Sequence, residues 1–310
     1  MTTPVWIGLG SNLGDRKATL DAAVAALARV PGVTVRALSS FHETEPVGGP
    51  PGQGPFLNAA AWLETTLNPL TLLAITQGVE SRSGRVRSRR WGERTLDIDL
   101  LIFGNEFLDT PRLKLPHPRL ALRRFVLAPL AEIAPSVVEI VSMRRIDDLL
   151  ANLDRRPRLL ALLGPDGRFK STIHRRLVEE LTAIRIPVEN PRGGREEDSS
   201  PFKDGGDGSR TGALRVDQCS PADDRETWMV TDYRPEGDRM EDPSVTLDTI
   251  RPEGTPPRSR IRPIFAVLLD GGDRVLRPGL VDLPLLRPES GDPEETIAEV
   301  VATCRDIMRS

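Results

Sequence analysis

The 310-residue sequence predicts a mixed α/β chain: a ferredoxin-like βαββαβ sandwich of the α+β type over residues 1–157, then a partly disordered α/β extension over residues 158–310. Three observations carry that expectation. The apolar periodicity from Val5 to Phe103 reads strand, helix, strand, strand, helix, strand. The segment Thr95 to Phe103 alternates like a central strand and sets two acids on one of its faces. From about Glu189 to Arg262 the chain turns to runs such as Asn190-Pro-Arg-Gly-Gly-Arg-Glu-Glu-Asp-Ser-Ser-Pro201, which cannot bury enough apolar surface to order themselves.

Each element has a local reason. Val5 to Leu9 is a short apolar run ending in a Gly-Ser-Asn turn, as a first strand does. Asp15 to Val30 places Leu20, Val24 and Leu27 on one helical face, with Asp15 near the cap. Pro31-Gly32 stops that helix, and Val33 to Thr44 alternates as a second strand. Phe56 to Thr65 is a third strand, Pro69 to Ser81 a second helix, and Thr95 to Phe103 the fourth strand. The helices should cover one face of the sheet. Two long loops remain, Pro46 to Pro55 and Ser83 to Arg94, and their composition suits lids that close over a ligand.

In the fourth strand Leu96, Ile98 and Leu100 point to a core while Asp97 and Asp99 share the opposite face. Carboxylates there are costly to desolvate unless they hold a cation, and hard oxygen ligands suit Mg²⁺ shared with phosphates. Six arginines crowd the approach: Arg82, Arg85, Arg87, Arg89, Arg90 and Arg94. Their forked donors match phosphate oxygens. Acids that can hold a metal, preceded by an arginine loop, describe a phosphoryl-transfer site.

The run Arg90-Trp-Gly-Glu-Arg-Thr-Leu-Asp-Ile-Asp-Leu-Leu101 resembles the signature of the hydroxymethyldihydropterin pyrophosphokinase family of folate biosynthesis. The resemblance covers about residues 4–155 and includes Gly10-Ser-Asn-Leu-Gly14, Thr44-Glu-Pro-Val-Gly48, Phe56-Leu-Asn-Ala59, Gly84-Arg-Val-Arg87, Pro116-His-Pro-Arg119, Arg123-Arg-Phe-Val-Leu127 and Pro129-Leu-Ala-Glu-Ile-Ala-Pro135. It implies an enzyme that moves pyrophosphate from ATP to the hydroxymethyl group of 6-hydroxymethyl-7,8-dihydropterin and releases AMP. By the resemblance, Asp97 and Asp99 hold two Mg²⁺ ions, and Arg85 and Arg94 join them as catalytic residues. Arg87, Arg90, Ile98, Arg112, His117 and Arg123 become ATP contacts. Phe56 and Phe125 sandwich the pterin, Asn58 reads its edge, and Thr44, Pro46, Val47 and Trp91 complete that pocket.

The extension is harder to read. Leu159 to Leu177 gives an apolar strand, a glycine loop and Lys170-Ser171 opening a helix, which resembles a P-loop of a nucleoside kinase. Phe169 sits where the second glycine belongs, so the module reads as degenerate. The alternative function is a bifunctional protein with a working C-terminal nucleoside kinase. On the degenerate reading, a chain ending near Arg156 is expected to fold and keep full pterin activity, since every matched block precedes it. A formal charge of −3 gives no sign of a nucleic-acid or membrane partner. Ferredoxin-like sheets also bind RNA, but the exposed face here carries Asp97 and Asp99 instead of stacking aromatics. Cys219 and Cys304 are too few for a disulfide framework or zinc site. The start Met1-Thr-Thr-Pro-Val-Trp lacks a signal-peptide pattern, which places the protein in the cytoplasm as an expectation.

Overall fold

The computed structural model describes residues 1–46, 50, 52–84, 92–154, 158–163, 168–181, 184–186, 228–232, 245–247, 259–261, 265–268, 285–286, 288 and 292–308. Its first sheet is antiparallel. Strands β1 (Thr3–Ser11), β2 (Val33–Leu38), β4 (Phe56–Thr65) and β5 (Asp97–Phe103) lie in the order β2-β4-β1-β5, with β3 (His42–Thr44) paired to β4. Helices α1 (Arg16–Ala28) and α2 (Pro69–Arg82) complete the βαββαβ order. Both start on a side-chain cap: Asp15 accepts from the Ala18 amide at 3.0 Å and Asn68 from the Thr71 amide at 2.9 Å. Their apolar faces, with Leu20, Leu27, Leu72 and Val79, close on Ile7, Leu63, Ile98 and Leu100. Each fully buried leucine contributes about 1.5–3 kcal/mol.

Two boundaries differ from the sequence expectation. The second strand is interrupted, because the Ser39 hydroxyl accepts from the Ala60 amide at 2.9 Å and takes the place of a ladder carbonyl. The chain then re-enters the sheet as β3. The fourth strand begins at Asp97, two residues later than its alternation suggested.

The other face of the sheet is only partly covered. The short pairs β6 (Leu108–Asp109) with β7 (Lys114–Leu115) and β8 (Val138–Glu139) with β9 (Arg144–Arg145) lead into α3 (Arg124–Ile133) and α4 (Ile146–Leu153). Val126, Leu127 and Leu130 of α3 and Leu149 and Leu153 of α4 pack over Trp6, Ala60 and Leu101, where Trp6 stacks on Trp62 at 6.4 Å. Glu132 pins α3 to the loop before β3. It accepts from the Ser40 amide at 2.8 Å and the Ser40 hydroxyl at 2.7 Å, and lies 2.6 Å from His42 Nε2. The Ser40 hydroxyl above all, then the Ser40 amide and His42, holds the Glu132 carboxyl below its ordinary value. A depressed folded pKa stabilises above the unfolded value and is lost as pH falls through the folded one. Glu132→Gln should therefore lower the melting temperature at neutral pH, and the gap from the wild type should close below about pH 4. A gap of constant size across that range would remove the carboxylate's charge from the explanation.

The extension forms a second, parallel sheet. β10 (Arg158–Leu163), β11 (Ile184–Ile186), β12 (Trp228–Asp232), β15 (Phe265–Leu268) and β16 (Leu285–Leu286) lie in the order β11-β12-β10-β15-β16. β13 (Val245–Leu247) and β14 (Ser259–Ile261) pair separately. Three strands thus fall inside residues 189–262, expected to be disordered apart from a short strand near Thr227 to Thr231; the rest of that segment lies outside the described residues. Helices α5 (Arg168–Glu180) and α6 (Pro293–Met308) pack on each other. In the P-loop-like stretch Gly164 lies outside the described residues, Lys170 is buried, and Phe169 packs against the core. No helix among the described residues is long and apolar enough to cross a membrane.

Candidate active site

The uncovered half of the sheet is a cleft whose floor is made by missing side chains. In register, Gly10 stands between Asn58 on β4 and Asp97 on β5, and Gly8 stands opposite Asp99. A Cβ on Gly10 would come within 3.1 Å of Asn58 Oδ1 and 3.9 Å of the Phe56 ring. Asn58 is buried and donates to the Thr44 hydroxyl at 2.8 Å, which fixes its amide against the floor. On the expectation that Asn58 reads a pterin edge, Gly10→Ala should raise the pterin KM by about tenfold or more through displacement of Asn58, with the melting temperature nearly unchanged. An unchanged pterin KM would show that Asn58 can shift freely.

Asp97 and Asp99 are half-buried on this face while Leu96, Ile98 and Leu100 are buried behind them, as the alternation required. Glu80 of α2, itself buried, accepts from the Ile98 amide at 2.8 Å and so anchors the start of the strand that carries both acids. Asp97 pairs with Arg94. Asp99 lies 3.8 Å from an Arg123 nitrogen and 4.0 Å from His117 Nε2. The Arg119 amide donates to His117 Nδ1 at 3.1 Å, which leaves the neutral ring's proton on Nε2, facing Asp99. Burial lowers the Arg123 pKa from its ordinary value, and the Asp99 charge is the largest influence opposing that.

Asn12 organises the approach. Its Oδ1 accepts from the Arg94 amide at 2.7 Å, its own amide donates to the Arg94 carbonyl at 3.0 Å, and its Nδ2 reaches the Gly54 carbonyl at 3.4 Å. One buried side chain thus ties the ends of both long loops to β1.

The residues lining the cleft include Thr44, Pro46, Phe56, Asn58, Arg94, Asp97, Asp99, Arg123 and Phe125, nine of those expected from the sequence. Arg123 also stacks on Phe125, 5.4 Å from its centroid. Ile98 is buried behind the acids, so any contact it makes with ATP is through its backbone. Arg112 is exposed and outside the residues that line the cleft. Val47, Arg85, Arg87, Arg90 and Trp91 lie outside the described residues. Sequence reasoning missed the roles of Gly8, Gly10, Asn12 and Arg119 although it quoted the blocks containing three of them. It also missed Glu299, Ala302, Thr303 and Asp306, which line the same cleft from α6.

Among the described residues no three His, Cys, Asp or Glu side chains cluster as a ready-made metal cage. Two partly exposed carboxylates aimed into a cleft fit instead a hard cation whose other ligands are phosphate oxygens and water.

A ferredoxin-like sandwich whose open face joins paired acids, guanidinium groups and two phenyl rings is the build of a small-molecule phosphotransferase. The family model described as 7,8-dihydro-6-hydroxymethylpterin-pyrophosphokinase (HPPK) matches residues 6–135. A Bacillus subtilis protein named 2-amino-4-hydroxy-6-hydroxymethyldihydropteridine pyrophosphokinase is 50% identical over 137 residues, 44% of this chain and 81% of the relative. A Pseudomonas aeruginosa protein of the same name is 44% identical over 151 residues, 49% of this chain and 92% of the relative. The chain belongs to the HPPK family. The Plasmodium falciparum HPPK-DHPS A437G crystal structure with pteroate aligns at a TM-score of 0.39 and 13% identity, over 66% of this chain and 58% of that one, a likeness too low to add to the assignment.

Proposed function

We propose that this protein transfers pyrophosphate from ATP to 6-hydroxymethyl-7,8-dihydropterin, with the chemistry run by the cleft on β1, β4 and β5. The observation that carries the reading is that Asp97 and Asp99 share one cleft with Phe56, Asn58 and Phe125. The hydroxymethyl oxygen forms a bond to the β-phosphorus, the bond from that phosphorus to the α,β-bridging oxygen breaks, and AMP leaves with that oxygen. The hydroxyl proton passes to solvent or phosphate, so no strong base is required.

Asp97 and Asp99 would hold two Mg²⁺ ions. Mg²⁺ bound there supplies charge neutralisation on the ATP phosphates. Arg94, with Arg85, would meet charge that develops on the transferred group. Arg123 and His117, beside Asp99, would contact ATP, with Arg87, Arg90 and Arg112 adding charge and Ile98 its backbone. Phe56 and Phe125 would hold the flat pterin between rings, where stacking suits an aromatic heterocycle. Asn58, oriented by Thr44, would read its hydrogen-bonding edge with Pro46, Val47 and Trp91 around it. The partners are two small molecules, and the working place of the enzyme is the cytoplasm. Residues 1–157 would supply the family's catalytic set and 158–310 a kinase-like extension, whose last helix also lines the cleft.

AMP release from Mg-ATP, measured with and without the reduced pterin alcohol, tests the reading. AMP should form only with the pterin. ATP turnover that ignores the pterin would overturn it. The alternative, a bifunctional protein with nucleoside kinase activity, is unsupported: the family model and the relatives name only the pyrophosphokinase.

A further inference from the structure

We infer that α6, the last helix of the extension, is a wall of the pyrophosphokinase site, and that Glu299 on it positions Arg119 for ATP. The inference rests on the reading of the cleft given above. Helix α6 carries two stripes at helical spacing. Ile297, Val300, Val301, Cys304 and Ile307 are at most 5% exposed and share a core with Leu160 and Leu162 of β10 and Ile173 and Leu177 of α5. Each residue of a helix turns about 100°, so residues two positions on face nearly the opposite way. That second stripe is Glu299, Ala302, Thr303 and Asp306, and it lines the cleft. The helix is therefore buried on both sides.

A helix that merely closed the extension would leave its polar stripe in water. Glu299 is 2% exposed and Asp306 8%, and buried carboxylates are rare without partners. Glu299 has its partner on the family domain: Arg119 Nη2 donates to it at 2.7 Å, with side chains 13% and 3% exposed, while Asp306 lines the same cleft. This pairing decides where the Arg119 cation points. Arg123 already lies 3.8 Å from Asp99. Without Glu299, Arg119 would be drawn to Asp97 and Asp99 and would narrow the path of the phosphates. Held by α6, it stays in the cleft lining beside Glu299 before ATP arrives.

The test uses the full-length protein. Glu299→Gln keeps the shape and removes the charge. We expect the ATP KM and the ATP dissociation constant measured by calorimetry both to rise by about tenfold, with kcat within about twofold. Glu299→Asp should recover part of the loss, and Glu299→Gln should add nothing in an Arg119→Ala background. If Glu299→Gln does not fold, Arg119→Lys, which keeps the charge and loses the fork, should show the same shift. Unchanged ATP affinity would make α6 a packing element only, and tighter ATP binding would make its acids competitors of the phosphates; either result overturns the inference. Pterin-dependent AMP release by the wild type in the same assay separates this failure from failure of the underlying assignment.

Discussion

Asp97→Ala and Asp99→Ala should each lower turnover by at least about a thousandfold while leaving the fold intact. Both carboxylates face a cleft, so neither fills a core space whose loss would unfold β5; the apolar residues Leu96, Ile98 and Leu100 do that from the other side. The strand start is secured independently by Glu80 on the Ile98 amide. The two variants should differ in one respect. Asp97 is paired with Arg94, so its removal also frees a cation beside the reacting phosphates, whereas Asp99 shares its charge with Arg123 and His117. Mg-ATP binding by calorimetry should weaken in both. Near-normal turnover in both variants would sink the assignment of these acids as metal ligands.

Arg94→Ala is expected to slow the chemical step by about 3 kcal/mol, the loss typical of a donor that meets charge developing in the transition state. Its backbone is clamped by Asn12 on both the amide and the carbonyl, so the residue is placed before any ligand arrives. Its side chain rests on Asp97, the acid that would share its charge with a bound cation and so leave the guanidinium available to the phosphates. Single-turnover rates separate this role from simple binding. An unchanged single-turnover rate with weaker ATP affinity would reduce Arg94 to a binding residue.

The parts of this molecule set by local rules could be read directly from its residues. Period-two alternation from Leu96 to Leu100 put the acids on one face, and the observed burial follows it residue by residue. Asp15 capped its helix as its side chain dictates. The break between β2 and β3 could not be read, because it depends on a Ser39 hydroxyl finding the Ala60 amide across the sheet. Glu299 and Asp306 were equally hidden. A glutamate and an aspartate in an amphipathic helix look like ordinary solvent-facing residues until the helix meets a second surface. Arg119 stood inside a quoted block, yet its importance comes from a partner 180 residues away.

The glycine floor has a bearing on inhibition. A compound resting on Gly10 touches main chain, and main chain has no side chain to exchange for one that binds the compound less well. Any replacement there must add atoms, and the first atom added already crowds Asn58. If the pterin rests there as proposed, a resistance change at this position would take from it the same space that it denies the drug. Escape from a floor-bound inhibitor has to come from the walls, where Phe56, Arg123 and the α6 stripe offer side chains that can be traded.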